Sequence, residues 1–120
     1  MTLRECYAAL GGDYEDAMGR LRSERLVNKF VLRFLDDKSY DLLCTSMEAG
    51  DYEEAFRAAH TIKGVCSNLA FTVLGKSSSE LSEALRYGYT PEADALAERV
   101  KEDYRQTVEA IRAYQEAAGG

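Results

Sequence analysis

The fold class this sequence predicts is all-α: an antiparallel up-down-up-down four-helix bundle with short extra helices at its N-terminus. Apolar residues return at three- and four-residue spacing through most of the 120 residues. The chain has one proline, no tryptophan and many Ala, Leu, Glu and Arg residues, a composition that favours helix. No βαβ rhythm and no internal repeat breaks the pattern. With 46% hydrophobic and 30% charged residues the chain can bury a core and is not a disordered tail. We expect one domain over residues 1–120, with 1–20 as a helical extension and 21–116 as the bundle.

The elements follow from their punctuation. Thr2 and Glu5 form a capping box that opens a short helix, and Gly11-Gly12 stops it. A second short helix starts from Asp13. Ser23 caps the next element, in which Leu26, Val27, Phe30, Val31, Phe34 and Leu35 recur at helical spacing, with Leu32 outside an already wide apolar arc. After Asp36-Asp37-Lys38, the residues Tyr40, Leu43, Cys44 and Met47 describe an amphipathic helix ended by Gly50. Asp51 with Glu54 is a further cap signal, opening a helix that runs to about Leu69 or Ala70. Leu74, Ser78, Leu81 and Leu85 line one face of the next, which reaches Tyr87 before Gly88 closes it. Thr90 as N-cap and Pro91 at the first helical position open a long last helix with Ala93, Leu96, Val100, Tyr104, Val108 and Ile111 on one face. The tail Ala117-Ala118-Gly119-Gly120 should fray. Four substantial helices joined by short turns give the bundle, with the short N-terminal pieces across one end.

His60 is the only histidine. At about 100° per residue, Ala55, Ala58, Ala59, Ile62, Val65, Cys66 and Leu69 fall in one arc opposite it, the buried stripe of its helix. Glu53, Phe56, Arg57, Lys63, Gly64 and Ser67 fall within about 60° of it. The imidazole therefore rides the crest of the solvent face, where a ring nitrogen is open to an incoming group as a nucleophile. Lys63, one turn on, favours an anion at that place, such as a phosphoryl group on nitrogen. Gly64 weakens the helix by roughly 1 kcal/mol relative to alanine, and its missing side chain clears space beside the ring. Phe56 is a large apolar group on a wet face, suited to a surface that docks a partner.

Several function classes fall away. Cys6, Cys44 and Cys66 are widely spaced and form no CxxC pair or Cys/His cluster, so neither a disulfide framework nor a metal site is expected. No apolar run has signal-peptide or membrane-spanning length, and a soluble cytoplasmic protein that does not engage membranes is expected. The net charge of -6 argues against nucleic-acid partners. There is no Gly-rich phosphate loop to draw on ATP, nor the cluster of acids beside a lysine with which a receiver domain holds Mg²⁺. Partners should be proteins, and the chain itself a monomer.

The run Ala58-Ala59-His60-Thr61-Ile62-Lys63-Gly64 through Asn68-Leu69, preceded by Gly50-Asp51-Tyr52-Glu53-Glu54-Ala55, resembles the histidine-containing phosphotransfer (HPt) domains of two-component phosphorelays. More loosely the likeness covers residues 20–115. The family commonly has glycine where this chain has Ala70, and often glutamate where it has Ser82. The resemblance implies that His60 accepts a phosphoryl group from the aspartate of a response-regulator receiver domain and passes it to another, with a hybrid histidine kinase among the candidate partners. It implies Nε2 as the phosphorylated nitrogen, Mg²⁺ on the partner receiver only, and no cofactor or autonomous catalytic activity in this chain. Lys63 would give electrostatic support and Gly64 steric access, with Phe56, Arg57 and Ser67 as partner contacts and Lys76 as a further surface cation near the phosphate. It also implies that part of the Ser23-capped helix forms an apolar docking patch beside His60. Two other readings remain: a helical adaptor that is never phosphorylated, and the phosphoacceptor part of a histidine kinase.

Overall fold

The computed structural model describes residues 1–118. Among these, α1 (Leu3–Leu10), α2 (Tyr14–Leu21), α3 (Glu24–Arg33), a 3-10 turn (Phe34–Asp36), α4 (Ser39–Ala49), α5 (Tyr52–Leu69), α6 (Thr72–Leu85) and α7 (Pro91–Ala117) follow one another without a strand. Most caps do what their residue types allow. Thr2 and Glu5 close a reciprocal capping box. The side chains of Asp13, Ser23 and Asp51 each accept the amide of the residue three further on. Thr90 departs from expectation, because its hydroxyl donates back to the Ala84 carbonyl at 3.2 Å, which ties the α6–α7 turn and leaves α7 to begin on Pro91.

Two boundaries also differ from the periodicity. The Ser23-capped helix keeps α geometry only to Arg33, and Phe34–Asp36 tightens into 3-10 form. There Asp37 turns extended and its carboxylate accepts the Ser39 amide at 2.8 Å, starting α4. Helix α6 stops at Leu85, not Tyr87. Arg86 and Gly88 donate to the Glu83 and Leu85 carbonyls as the chain turns, and Tyr87 is left 97% exposed. Of the tail Ala117 to Gly120, expected to fray, Gly119 and Gly120 lie outside the described residues, and Ala117 closes α7.

The broken α3–α4 leg, α5, α6 and α7 are the four legs of the bundle. Helix α4 packs on α5, α5 on α6 and α6 on α7. Stacking of Tyr40 on Tyr104, with ring centroids 3.9 Å apart, brings the first leg against the last. With 27 residues against 14, α7 outruns α6 by about 20 Å. Helix α1 covers the overhang: Gln106 donates to the Ala9 carbonyl and the Cys6 thiol lies against the Ala110 carbonyl. Burial alone pushes that thiol up to about 11.

The N-terminal segment also clamps the α5–α6 turn. Tyr7 donates its hydroxyl to the Leu69 carbonyl at 2.7 Å, Asp13 donates to Ala70, and Val73 donates to Gly11. The approach is close enough that a Cβ on Gly12 would sit 2.8 Å from the Ala70 carbonyl oxygen. Phe71, 1% exposed, is the keystone here, with ring centroids 5.6 Å from Tyr7 and 5.3 Å from Phe34. Ala70 closes α5 in the left-handed region at φ 57, which explains why glycine suits that position. Ala70→Gly is accordingly expected to raise stability by about 0.5–1 kcal/mol, the relieved strain being partly offset by a freer unfolded chain. The urea midpoint is the measurement, and a lower midpoint would show that the turn holds Ala70 without strain.

Candidate functional site

Helix α5 places the site. Its stripe of Ala55, Ala58, Ala59, Ile62, Cys66 and Leu69 is buried, Val65 is half-buried, and His60 stands exposed at the middle of the helix. Alanines at three of these positions let α4 and α6 approach closely, so the helix carrying the imidazole is held on both flanks. Cys66 belongs to this core, and burial pushes its thiol up to about 12, where it is inert as a nucleophile.

The imidazole is stacked on Phe56, one turn earlier, with centroids 5.9 Å apart and planes 20° from parallel. Phe56 is half-buried against the core, so it acts as a fixed backing for the ring. Arg86, at the end of α6, lies over the other part of this surface with its Cζ 5.8 Å from the Phe56 centroid. Glu83 holds Arg86 through two bonds of 3.0 Å. The Arg86 guanidinium holds the Glu83 carboxyl below the usual carboxylate range, and the charge of Lys63 adds to this. Lys63 thus stands on the α6 side of His60, and among the described residues Glu83 is bonded to Arg86 alone.

The other sequence-selected residues are placed less uniformly. Gly64 is exposed, and a Cβ built on it would meet nothing within 4 Å. Nothing within the described fold requires glycine there. Arg57 is turned along its own helix, paired with Glu53 at 3.0 Å and Glu54 at 3.3 Å. Ser67 lies about 10 Å further along α5 than His60, in a shallow groove that it shares with Lys63, Arg20 and Thr72. Lys76 is exposed on α6, while Ser82 is buried. Sequence reasoning missed Arg86, Glu83 and the neighbouring Tyr87. No helical periodicity links them to the His60 helix, because Arg86 and Tyr87 meet Phe56 only through the packing of α6 on α5.

Among the described residues no group of three or more His, Cys, Asp or Glu side chains could hold a metal ion. No helix among them is long and apolar enough to cross a membrane.

A family model described as Hpt domain matches residues 14–114. The chain belongs to the Hpt domain family. Its place is therefore in two-component phosphotransfer, with receiver domains or kinases as interaction partners. Helix α1 precedes the matched region, so the brace on the α7 overhang lies outside the part by which the Hpt domain is recognised. No curated protein and no solved structure matches the chain.

Proposed function

We propose that this Hpt domain is a monomeric cytoplasmic phosphoryl carrier that takes a phosphoryl group from the aspartyl phosphate of a receiver onto His60 and gives it to the aspartate of another. The observation that carries the reading is a solvent-exposed imidazole on a helix packed on both flanks, backed by Phe56 and open on the Gly64 side. A ring nitrogen attacks phosphorus in line, the bond from phosphorus to the aspartyl oxygen breaks, and the carboxylate leaves with its electron pair. Transfer to the second receiver is the reverse displacement. The partner receiver contributes Mg²⁺, and the carrier needs no cofactor of its own. Lys63 offsets phosphoryl charge, and Arg86 is poised to do so from α6. Phe56 gives the partner an apolar contact, while Arg57, held by its two glutamates, and Ser67, further down α5, lie at the rim of the partner's footprint.

The test is to mix the protein with phosphorylated receivers and Mg²⁺ and to ask for an acid-labile, base-stable phosphate. No transfer from a panel of receivers encoded by the same organism would leave a helical adaptor. Two variants probe the surroundings. Gly64→Gln should hold or raise helix stability, by up to about 1 kcal/mol, because the site is open and glutamine is the better helix former. It should still slow transfer by an order of magnitude or more, since the side chain occupies the approach to the ring; a normal rate would remove the steric role. Lys63→Ala should keep the fold and lower transfer rate or phosphohistidine lifetime several-fold, as loss of one exposed cation allows. Equal rates and lifetimes would end its electrostatic role.

A further inference from the structure

An acidic chain here carries a local reversal of sign. Residues 20–33 hold five cations, Arg20, Arg22, Arg25, Lys29 and Arg33, against one acid, Glu24, a local charge of +4 in a chain of -6. Three of them, Arg25, Lys29 and Arg33, stand at successive four-residue steps on α3, with Arg22 just before the helix, and all four are exposed. The spacing is unfavourable to the helix itself, because like charges one turn apart repel. Outside this stretch Arg4, Arg57, Arg86, Arg99 and Arg105 are each paired with a carboxylate, and within it Arg20 is. Among the described residues Arg22, Arg25, Lys29 and Arg33 pair with none.

The stripe is continuous with the helix that bears His60. A cleft of about 380 Å³ joins them, lined by Phe30 and Arg33 of α3, Leu21 of α2, and Val65 and Asn68 of α5. Asn68 is about 12 Å along α5 from His60, within the footprint of a partner burying about 800 Å² on this side. Resting on the phosphotransfer reading above, we propose that the α3 stripe is the electrostatic docking surface for an acidic partner receiver. A receiver must gather carboxylates to hold Mg²⁺ beside its phosphoaspartate, so its reacting face is negative. A carrier of charge -6 would repel that face; the stripe reverses the field where the partner lands and orients it toward His60.

The test uses the full chain. Lys29→Glu converts two like-charge contacts on α3 into opposite-charge ones, so its thermal midpoint should hold or rise, which removes misfolding as an explanation. Transfer from a receiver of the same organism, phosphorylated with acetyl phosphate in Mg²⁺, should slow by about tenfold at low ionic strength and lose much of its salt dependence. Lys101→Glu, the same charge change on the exposed side of α7, should leave the rate unchanged. Phosphoramidate, a donor that needs no docking, should label His60 equally in all three proteins. Equal transfer rates for Lys29→Glu and Lys101→Glu, with normal phosphoramidate labelling, would overturn the stripe alone. Failure of phosphoramidate and of every receiver to label the unaltered protein would overturn the phosphotransfer reading with it. Charge-dependent binding to phosphatidylserine vesicles or single-stranded RNA, with transfer unaffected, would give the stripe to another partner and likewise overturn the proposal.

Discussion

His60→Gln is expected to fold as the parent does and to take up no phosphate from receivers or from phosphoramidate. Glutamine has an amide in place of the imidazole, so no side-chain nitrogen has a free electron pair for attack on phosphorus. The structural consequence should be small. The residue is exposed, its ring contact with Phe56 is worth at most about 0.5–1.5 kcal/mol, and glutamine has the higher helix propensity. Labelling and chemical denaturation on the same preparation check both halves. Residual acid-labile phosphate at the parent level would place the acceptor elsewhere, and a collapse in stability would mean that His60 also holds α5 in place.

Phe71→Ala is expected to produce the largest loss of stability, about 3–5 kcal/mol, out of the 5–15 kcal/mol typical of a domain. The side chain is 1% exposed and packs between Tyr7 of α1 and Phe34 at the break of the first leg. Its removal leaves a cavity where three parts of the chain meet, and the Tyr7 bond to the Leu69 carbonyl loses its packing support. The denaturant midpoint should fall with little change in slope. A loss below about 1 kcal/mol would show that the N-terminal helices close over the gap and are not braced through this ring.

The α5 stripe was readable because helical spacing is a local property: Ala55, Ala58, Ala59, Ile62, Cys66 and Leu69 are all buried and His60 is exposed, as their angles require. Caps at Thr2, Asp13, Ser23 and Asp51 were readable for the same reason, since each acts within three residues. Thr90 shows where that reasoning stops. Its hydroxyl had two possible partners, and the carbonyl of Ala84, brought near by the turn, was the one taken. The break at Phe34–Asp36 was hidden by an unbroken apolar repeat from Leu26 to Leu35, since period alone does not record where the backbone tightens to bring Phe34 against Phe71. Ser46, Ser77, Ser78, Asp103 and Thr107 are buried although their types favour water, because the close packing of helices around them leaves no room for it.

By itself, then, the sequence determined the all-α class, most of the helix starts, the buried face of α5 and the exposure of one imidazole beside a lysine and a glycine. These are decided by residue type and by neighbours within a turn or two. Only the tertiary structure decided what lies across the helix pair from α5: Arg86 over Phe56, Glu83 bonded to Arg86, and the cleft that links α3 to α5. It also decided that Gly64 is free of any internal demand and that the cations of α3 have no carboxylate of their own. The physical reason is that such relations join residues far apart in sequence. They are set by which helix faces pack together, and a one-dimensional period carries no information about that.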